Sequence, residues 1–342
     1  MRTLNELYSL LPRIKNIVIT HHFNADADAI GSSLGLYHYL QTIGIQSQVI
    51  TPNTLPSFLT WMPGADNIIV FEKEQAKASK LLQEAELIFC LDINTFSRTK
   101  IMTEEIAKSK AIKVMIDHHL QPQLELFDYG LSLPDKSSTC EMIYDFINTN
   151  QDNSKITLPI AKCLYAGTMT DTGSFKFSCT TASVHTMVAD LIKKGLEPTF
   201  IHQAIYDTYD ENRLRFLGYV LSSKMEIIPE SHTAIIAISK QDMQHYELKQ
   251  GDTEGIVNYP LSLKNINLSI FLSEREEEIR MSFRSKGHLD VNTLAKKYFN
   301  GGGHENAAGG RSTNTLENTI SDIKKAILEN QTNIVSCYNE LA

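Results

Sequence analysis

Cysteine is scarce in this sequence, and its spacing argues against two common roles. Five cysteines occur among 342 residues, an odd number, and no two of them form a CxxC pair. Neither a disulfide framework nor a zinc site built from thiolates is therefore indicated. We expect small buried residues or free surface thiols. The five are Cys90, Cys140, Cys163, Cys179 and Cys337.

Long apolar runs and basic clusters are also missing. No segment offers the roughly 18 uncharged apolar residues of a membrane span, and the N-terminus lacks the apolar core and cleavage site of a secretion signal. We therefore expect a soluble, cytoplasmic protein without a membrane partner. The net charge is -8 and the acidic residues are spread along the chain, so a long DNA duplex is not an expected partner. A short anionic ligand held through metal ions remains compatible with this composition.

The length of the chain predicts two domains, because 342 residues with 42% apolar content exceed what one hydrophobic core usually serves. In the N-terminal half, β-branched runs alternate with amphipathic helical patterns such as 30–43 and 74–84. Ser138, followed three residues later by Glu141, predicts a capping box at another helix start. The alternation predicts an α/β fold with a mostly parallel sheet flanked by helices. The predicted strands are 17–20, 47–51, 67–71, 87–91 and 111–116.

The pattern changes after about residue 195. Pro198 opens a long helical stretch without strand patterns, which we interpret as a helical linker over residues 196–228. A smaller C-terminal α/β domain with a mixed sheet is predicted over 229–342. Its predicted elements are strands at 233–238, 266–272 and 278–284, the last two as a hairpin, a helix at 291–299, a loop over 301–310 and a final helix from about Leu316.

Acidic and histidine residues follow three predicted strands at the point where each strand ends. The first strand precedes HFNADADAIGS, which contains His22, Asp26 and Asp28. Asp92 ends the run LIFCLD, and Asp117 begins the DHH triplet that ends VMIDHH. Because the carboxyl ends of parallel strands share one edge of a sheet, we expect these side chains to converge there.

The number of donors predicts two metal ions. Asp171, in the segment TMTDTGSF, adds another carboxylate to those at the strand ends, and together with the histidines these are more donors than one ion needs. We expect Mn²⁺, with Mg²⁺ or Co²⁺ as alternatives, at a separation of about 3.5–4 Å if a carboxylate bridges the ions. Two such ions can activate water and clamp a phosphoryl group, so a phosphoester or phosphoanhydride is the predicted substrate class.

Each of these residues also has a structural interpretation. Aspartate and asparagine in loops often form turns and helix caps, and Asp28 could cap the helix that follows it. For any one residue alone, that interpretation is favoured. The joint occurrence of acids or histidines after three strands, one of them a DHH triplet, changes the odds to about ten to one for the metal site.

Several segments together resemble the motifs of the DHH phosphoesterases that carry a DHH-associated C-terminal domain. HFNADADAIGS resembles the first motif of that family, Leu91 with Asp92 the second, DHH the third and TDTGSF the fourth. Residues 284–310, RSKGHLDVNTLAKKYFNGGGHENAAGG, resemble the signature of the associated domain. Ala25 replaces the usual proline of the first motif and Ala27 a frequent glycine, so we expect a loop that is less pre-shaped but still functional.

The resemblance implies a ligand set for each ion, with Asp92 as the bridge. The ligands of one ion would be His22, Asp26 and Asp92. The ligands of the other would be Asp28, Asp92, His118 and Asp171. The implied catalytic residues are Asp117, His118 and His119. Asp117 would orient a histidine through its second ring nitrogen, and His119 would lie beside the substrate phosphate or the leaving group.

The C-terminal domain contains a candidate substrate-binding segment. Gly301, Gly302 and Gly303 precede His304, and glycines let a chain approach phosphate oxygens closely. A flexible turn is the alternative interpretation of three glycines. With His304 beside them and Arg284 on a nearby predicted strand, we favour an anion-binding loop, in which the guanidinium contacts a terminal phosphate through two donors.

The resemblance implies a metal-dependent phosphoesterase that uses activated water on short oligoribonucleotides, on 3′-phosphoadenosine 5′-phosphate, or on both. Residues 1–195 would form the catalytic domain and residues 229–342 the substrate-binding domain. A cyclic- or linear-dinucleotide phosphodiesterase is the close alternative. An exopolyphosphatase or pyrophosphatase is disfavoured by the GGGH segment, and a non-catalytic nucleotide sensor by the complete ligand set. The sequence leaves open the physiological substrate and whether two chains pair as a homodimer.

Overall fold

The computed structural model describes residues 2–150, 152–249 and 251–340. The chain forms two compact units, of which the first ends at Thr208 and the second begins at Tyr209. This boundary falls inside the segment 196–228 that the sequence predicts as a linker. None of the helices in the described ranges combines the length and the apolar composition that a membrane span requires.

A six-stranded parallel sheet forms the centre of the first unit, with the strand order β3-β2-β1-β4-β5-β6. Its strands are β1 (Ile17–Thr20), β2 (Ser47–Thr51), β3 (Ile69–Val70), β4 (Leu87–Leu91), β5 (Ile112–Asp117) and β6 (Tyr129–Ser132). Its helices are α1 (Leu4–Leu10), α2 (Ala27–Thr42), α3 (Gln75–Glu84), α4 (Thr103–Lys108), α5 (Thr139–Thr149), α6 (Leu158–Asp171), α7 (Ala182–Lys193) and α8 (Pro198–Tyr206).

The predicted parallel sheet is confirmed, and both of its faces are covered. Ile17 and Ile19 of β1 pack into a core that includes α2, α5 and α6, whereas Val18 packs on the opposite face with residues of α3 and α4. Strands buried on both faces become continuous apolar runs, and for this reason their sequences do not alternate. The third strand is shorter than predicted because Ala65–Asn67 form a 3-10 turn before it. The sixth strand, with only four residues and a glycine at Gly130, was not predicted.

Helices α2 and α6 pack very closely, which fixes the position of the end of α6. A β-carbon at Gly31 of α2 would lie 2.5 Å from the carbonyl oxygen of Cys163, and one at Gly35 would lie 2.6 Å from Leu164. The two glycines therefore permit an approach that any larger residue would block. The contact brings the C-terminal turn of α6 to the end of the sheet where α2 begins.

The second unit contains a six-stranded mixed sheet in the order β11-β12-β10-β9-β8-β7, in which β8 and β9 are parallel and the other pairs antiparallel. Its strands are β7 (Met225–Ile228), β8 (Thr233–Ile238), β9 (Leu268–Glu274), β10 (Ile279–Ser285), β11 (Gly302–His304) and β12 (Ala307–Ser312). Its helices are α9 (Glu211–Tyr219), α10 (Lys240–His245), α11 (Val291–Tyr298), α12 (Leu316–Glu329) and α13 (Gln331–Asn339). The predicted mixed sheet and the β9–β10 hairpin are confirmed.

The prediction of a loop over 301–310 was wrong, because this segment folds into the antiparallel strands β11 and β12. The glycines allow these two strands to approach each other closely. A β-carbon at Gly301 would lie 1.9 Å from the carbonyl oxygen of Gly309, and one at Gly303 would lie 2.4 Å from that of Ala307. Glycine-rich strands lack the alternating apolar pattern from which strands are predicted, so the sequence pattern resembled that of a loop.

Candidate metal centre

Three neighbouring strands carry the predicted ligands to one edge of the parallel sheet. His22 follows β1 by two residues, Asp92 comes directly after β4, and Asp117 is the last residue of β5. These strands are adjacent in the order β1-β4-β5, and all run parallel. Their carboxyl ends therefore meet at one place, as the strand-end argument requires.

Three groups of side chains at this edge have the spacing of metal ligands. In each group one donor atom from every residue lies within 4.8 Å of the others. The groups are His22 with Asp26 and Asp92; Asp28 with His118 and Asp171; and Asp92 with His118 and His119. Every predicted ligand belongs to at least one group, and Asp92 occurs in two of them. The structure thus brings together residues from four separate segments of the chain.

The imidazole of His22 is oriented with one nitrogen toward carboxylates. Its Nδ1 donates a hydrogen bond of 2.9 Å to the carbonyl of Phe23, which assigns the proton to that nitrogen. Its Nε2 lies 3.1 Å from Asp92 and 3.8 Å from Asp26. Among the described residues this buried Nε2 has no hydrogen-bond partner of acceptable geometry. A buried ring nitrogen that faces two carboxylates is a position that a proton or a metal cation would satisfy.

Asp26 combines the structural role and the candidate ligand role in a single carboxylate. Its Oδ1 accepts hydrogen bonds of 3.0 Å from the amides of Asp28 and Ala29, so Asp26 is the N-cap of α2. Its Oδ2 is the oxygen that faces His22. The alternative interpretation of Asp28 as the helix cap was wrong, because Asp28 lies one residue inside the helix.

His118 faces three carboxylates through its Nε2. The distances are 3.5 Å to Asp171, 3.6 Å to Asp92 and 3.8 Å to Asp28. On its other side, Nδ1 donates to the carbonyl of Lys136 at 3.3 Å, which orients the ring. His118 forms one ligand group with Asp28 and Asp171 and another with Asp92 and His119, and imidazole nitrogen with carboxylate oxygens is a donor set suited to a divalent cation.

Helix α5 holds Asp28 through its first two amides, a role that no sequence pattern indicated. Thr139 and Cys140 donate hydrogen bonds of 2.7 and 2.8 Å to the two oxygens of Asp28. The hydroxyl of Thr139 also donates to Asp92 at 3.2 Å. The positive end of the helix dipole thus compensates a carboxylate that is completely buried.

The start of α5 is itself fixed by Glu141, although not through the predicted capping box. Ser138 accepts a hydrogen bond from the amide of Glu141, as predicted. The carboxylate of Glu141, however, accepts from the amide and hydroxyl of Ser137 and from Lys136, at 2.8–2.9 Å. The reciprocal bond therefore falls one residue earlier than in a capping box. It orders the loop whose Lys136 carbonyl orients His118.

Gly167 is a second residue that the sequence reasoning missed. A β-carbon there would lie 2.4 Å from the Sγ of Cys140 and 2.8 Å from the Cα of Asp28. This glycine permits α6 to pass directly over Asp28. Asp171, predicted in a loop, is instead the last residue of α6, four residues or about one turn beyond Gly167. The helix contact therefore determines where this carboxylate points.

Two residues of the DHH triplet, Asp117 and His119, are hydrogen-bonded to each other. Asp117 accepts a bond of 2.9 Å from Nδ1 of His119 and one of 3.0 Å from its amide. The same Nδ1 lies 3.2 Å from Asp92.

His21 does not face the carboxylates, because its two ring nitrogens are hydrogen-bonded to the hydroxyls of Ser33 and Thr51, at 3.0 Å each. His21 is therefore a structural residue, and its burial lowers its pKa to about 3.

Two of the histidines that face Asp92, His22 and His119, have raised pKa values. Burial opposes protonation of His22, but the carboxylates of Asp26 and Asp92 outweigh burial and raise its pKa to about 10. Burial and the charge of Arg98 oppose protonation of His119, but Asp92 and Asp117 raise its pKa to about 9. Excess negative charge at this edge of the sheet therefore favours bound protons or other cations.

Two carboxylates of the centre are difficult to ionise. Burial, followed by the charge of Asp92, raises the pKa of Asp28 to about 6. Burial and the charge of Asp28 raise the pKa of Asp171 well above its usual range. Carboxylates that repel each other in a buried site are stabilised together by a divalent cation. The donor types, their burial and the orientation of His22 Nε2 thus fit divalent metal ions.

The predicted substrate-binding residues lie on the sheet of the second unit. Arg284 is on β10 and partly buried, and its guanidinium donates to the carbonyl of Phe283 at 2.9 Å. Gly302, Gly303 and His304 form β11, opposite Gly309, Ala308 and Ala307 of β12. The amide of Gly303 donates to Asn292 at 3.0 Å, and that of Gly301 to the carbonyl of Ala295 at 3.2 Å. Two of the three glycine amides are therefore already engaged.

Family models match both halves of the chain. The model described as DHH family, N-terminal domain matches residues 16–168, and the DHHA1 domain matches residues 232–332. The crystal structure of an exopolyphosphatase-related protein from Bacteroides fragilis aligns over 97% of both chains, with a TM-score of 0.93 and 39% sequence identity. The chain belongs to the DHH family of phosphoesterases. The family resemblance inferred from the sequence motifs is thereby confirmed.

Two curated relatives are similar to this chain over most of its length. The bifunctional oligoribonuclease and PAP phosphatase NrnA of Bacillus subtilis is 26% identical over 334 residues, which cover 95% of this chain and 99% of the relative. The protein of the same name from Thermus thermophilus is 29% identical over 301 residues, covering 86% and 83%.

The DHH-family match contains most of the candidate metal centre. His22, Asp92 and the DHH triplet lie within residues 16–168, whereas Asp171 lies just beyond the last matched residue. Arg284 and the segment from Gly301 to His304 lie within the DHHA1 match at 232–332. The two candidate sites of the chain thus fall in, or directly beside, the two domains that define this family architecture.

Proposed function

We propose that this DHH protein is a two-metal phosphoesterase that hydrolyses short oligoribonucleotides and removes the 3′-phosphate of 3′-phosphoadenosine 5′-phosphate. The observation that carries the proposal is the set of three ligand groups, each of which contains Asp92 or His118. The Nε2 of His118 lies 3.6 Å from Asp92. The nucleotide substrate is supported by relatives with this named pair of activities, which cover most of the chain.

We propose Mn²⁺ as the resident metal, because carboxylates with two imidazoles suit this ion. The ligands of one ion would be His22, Asp26 and Asp92. Those of the other would be Asp28, Asp92, His118 and Asp171. When bound, the two ions would supply the positive charge that activates a water molecule and offsets the charge on the phosphate oxygens.

The DHH triplet would provide the proton-handling group. Asp117 accepts a hydrogen bond from Nδ1 of His119, which holds the ring in one orientation. In the metal-free protein, burial opposes protonation of His119, but the carboxylates of Asp92 and Asp117 raise its pKa to about 9. A protonated imidazole at this position would donate a hydrogen bond, and then a proton, to the oxygen that leaves phosphorus. Asp117 would position His119 for this step without contacting the substrate.

Arg284 would bind a substrate phosphate. Burial lowers the pKa of its guanidinium, and within the described residues no carboxylate lies at ion-pair distance from it. A desolvated cation that lacks an acidic partner is strongly stabilised when an anionic ligand binds to it. His304 would assist, and Gly301–Gly303 would contribute by allowing close approach of the chain. Their amides contribute less than the sequence suggested, since two of the three are already bonded.

The experiment that tests the proposal is a substrate panel with a defined metal. The purified protein is stripped with a chelator, reloaded with Mn²⁺, Mg²⁺ or Co²⁺, and assayed against four substrate classes. These are 3′-phosphoadenosine 5′-phosphate, di- to pentaribonucleotides, cyclic dinucleotides and pyrophosphate. We expect activity on the first two classes, greatest with Mn²⁺. A higher kcat/KM on cyclic dinucleotides or on pyrophosphate would reject the proposal in favour of those alternatives.

A matched pair of variants controls the panel for adventitious nuclease. Asp92→Asn removes the shared carboxylate, whereas Asp66→Asn removes an exposed carboxylate from the turn before β3. We expect the first variant to lose activity on every substrate and the second to keep it. Equal activity of the Asp92→Asn variant and the unaltered protein would assign the hydrolysis to a contaminant or to another site.

A further inference from the structure

Arg98 is attached to two segments of the metal centre by its side chain and its backbone. It lies in the 3-10 segment Phe96–Met102 that follows β4. Its Nη1 donates a hydrogen bond of 2.9 Å to the carbonyl of Asp92, and its own carbonyl accepts one of 2.8 Å from the amide of Phe23. Phe23 follows His22 directly. The guanidinium is thus fixed beside the candidate shared ligand.

The charge of Arg98 is not neutralised by contact with a carboxylate. The centre contains five aspartates, yet within the described ranges none of them lies at ion-pair distance from Arg98. The side chain is partly exposed, so a ligand can reach it. Within the described residues, the side chain of Arg98 donates the hydrogen bond to the carbonyl of Asp92, so a single one of its N–H groups is accounted for there.

A purely structural role explains only part of this arrangement. Asp92 has a φ of 57°, a left-handed conformation that costs free energy in residues other than glycine, and the hydrogen bond from Arg98 helps to hold its carbonyl. One carbonyl needs one donor, however, and a guanidinium carries five N–H groups in a planar fork that matches phosphate oxygens. A shorter neutral donor would satisfy the carbonyl without placing a charge beside the ligands.

We propose that Arg98 binds a non-bridging oxygen of the phosphate at the metal centre and stabilises the charge on it during hydrolysis. The inference rests on the proposed function and adds a phosphate-binding residue from the first unit. In the reaction, the oxygen of water forms a bond to phosphorus while the ester P–O bond breaks. One proton of the water is taken up by the solvent or the phosphate product, and the departing oxygen receives a proton from His119. Arg98 keeps its own proton throughout.

The test measures binding of inorganic phosphate to the Mn²⁺-loaded protein, a readout that does not depend on the nucleotide substrate. Isothermal titration calorimetry compares the unaltered chain with Arg98→Gln and Arg98→Lys. Arg13→Gln is the matched control, because Arg13 is exposed and precedes β1, at the edge of the sheet opposite the ligands. We expect Arg98→Gln to weaken phosphate binding by about tenfold or more, Arg98→Lys to weaken it less, and Arg13→Gln to leave it unchanged.

Metal affinity and kinetics separate ligand binding from positioning of Asp92. We expect Arg98→Gln to bind two Mn²⁺ ions with affinities within about twofold of the unaltered chain, while kcat/KM falls by about 10²–10³-fold. Added guanidinium ion should restore part of the activity of Arg98→Ala. If Mn²⁺ affinity fell in step with phosphate affinity, Arg98 would only position Asp92 and the inference would be wrong. Unchanged phosphate affinity in Arg98→Gln would also overturn it.

The two proposals fail in different ways. If phosphate binding depends on Arg98 but no nucleotide in the panel is hydrolysed, the proposed substrate is wrong and the role of Arg98 stands. If nucleotides are hydrolysed and Arg98→Gln retains both phosphate affinity and kcat/KM, the proposed function stands and the role of Arg98 is wrong.

Discussion

The amide of Cys140 donates a hydrogen bond of 2.8 Å to Oδ1 of Asp28, although 112 positions separate the two residues in the sequence. The amide of Thr139 binds the other oxygen of the same carboxylate. A buried carboxylate that receives two amides at a helix start is oriented and partly compensated before any metal binds. Helix α5 is thus part of the metal centre, although none of its residues is a predicted ligand.

The stability of the metal-free protein should decrease as the pH rises from about 6.5 to 9. The folded chain raises the pKa of His119 to about 9 and that of His22 to about 10, both above the usual histidine value of about 6.5. A raised folded-state pKa gives stabilisation that is complete below the unfolded value and is lost as the pH rises through the folded value. We expect a loss of about 1–3 kcal/mol over this range in urea denaturation with a chelator present.

Mn²⁺ should reverse this trend, because the ions replace the protons that the centre otherwise retains. The His22→Gln variant, measured without metal, should show a flatter pH dependence because one of the titrating groups is missing. A metal-free protein that is equally stable at pH 7 and pH 9 would show that the pKa of His22 is not raised.

The Asp92→Asn variant should fold normally and bind no more than one Mn²⁺ ion. Asparagine adopts the left-handed conformation of residue 92 as readily as aspartate does, so the backbone is preserved. It lacks the second anionic oxygen that a bridge between two ions requires. We expect kcat/KM to fall by at least about 10³-fold. Calorimetric titration gives the stoichiometry, and two ions bound per Asp92→Asn chain would contradict the bridging role.

The strand-end residues could be predicted from sequence because their positions follow from local patterns. A short apolar run indicates a strand, and the next polar residue then lies at the carboxyl end of a parallel sheet. His22, Asp92 and Asp117 were located by this reasoning alone. The proton assignment of His22 was not predictable, because it depends on a hydrogen bond to the carbonyl of Phe23.

Residues that act through distant contacts could not be predicted in the same way. Gly167 contacts Asp28 across 139 positions, and a glycine within a helical pattern gives no indication of its partner. Asp171 was a candidate ligand from the segment TMTDTGSF, a position that the strand-end rule does not select, and its placement depends on how α6 packs on α2. The strands β11 and β12 were missed for a related reason, since Gly301 is required by the backbone of Gly309 and not by a local turn.

Gly167→Ala should weaken metal binding at the group formed by Asp28, His118 and Asp171. The new methyl group would lie 2.4 Å from Sγ of Cys140 and 2.9 Å from Oδ1 of Asp28, so α6 must shift away from α2. We expect a destabilisation of about 1–3 kcal/mol in the metal-free protein, measured by urea denaturation, and a lower affinity for the second Mn²⁺ ion.

The helix α9 offers a matched control for that substitution. Gly218 is exposed, and a β-carbon there would meet no atom within 4 Å. Gly218→Ala should therefore stabilise the chain by about 0.5–1 kcal/mol through the helix preference of alanine, without a change in Mn²⁺ affinity. If Gly167→Ala behaved like Gly218→Ala in both measurements, the close contact of α6 with Asp28 would not be needed for the metal centre.

Arg284→Ala should raise KM for short oligoribonucleotides by about 10- to 100-fold and leave kcat within about twofold, because a lost charge-assisted hydrogen bond to phosphate weakens substrate binding. Arg280 is the matched control. It lies on the same face of β10, four residues away, but its side chain is 56% exposed and paired with Glu278 at 2.8 Å. We expect Arg280→Ala to change neither parameter. Lost turnover with unaltered KM in Arg284→Ala would contradict a binding role, and equal effects of both substitutions would indicate a general charge effect of the strand. An increase in KM confined to Arg284→Ala, with kcat preserved, would show that Arg284 anchors the substrate and takes no part in the chemical step. Anchoring stabilises the bound substrate and the transition state equally, so its loss changes KM and leaves kcat unchanged.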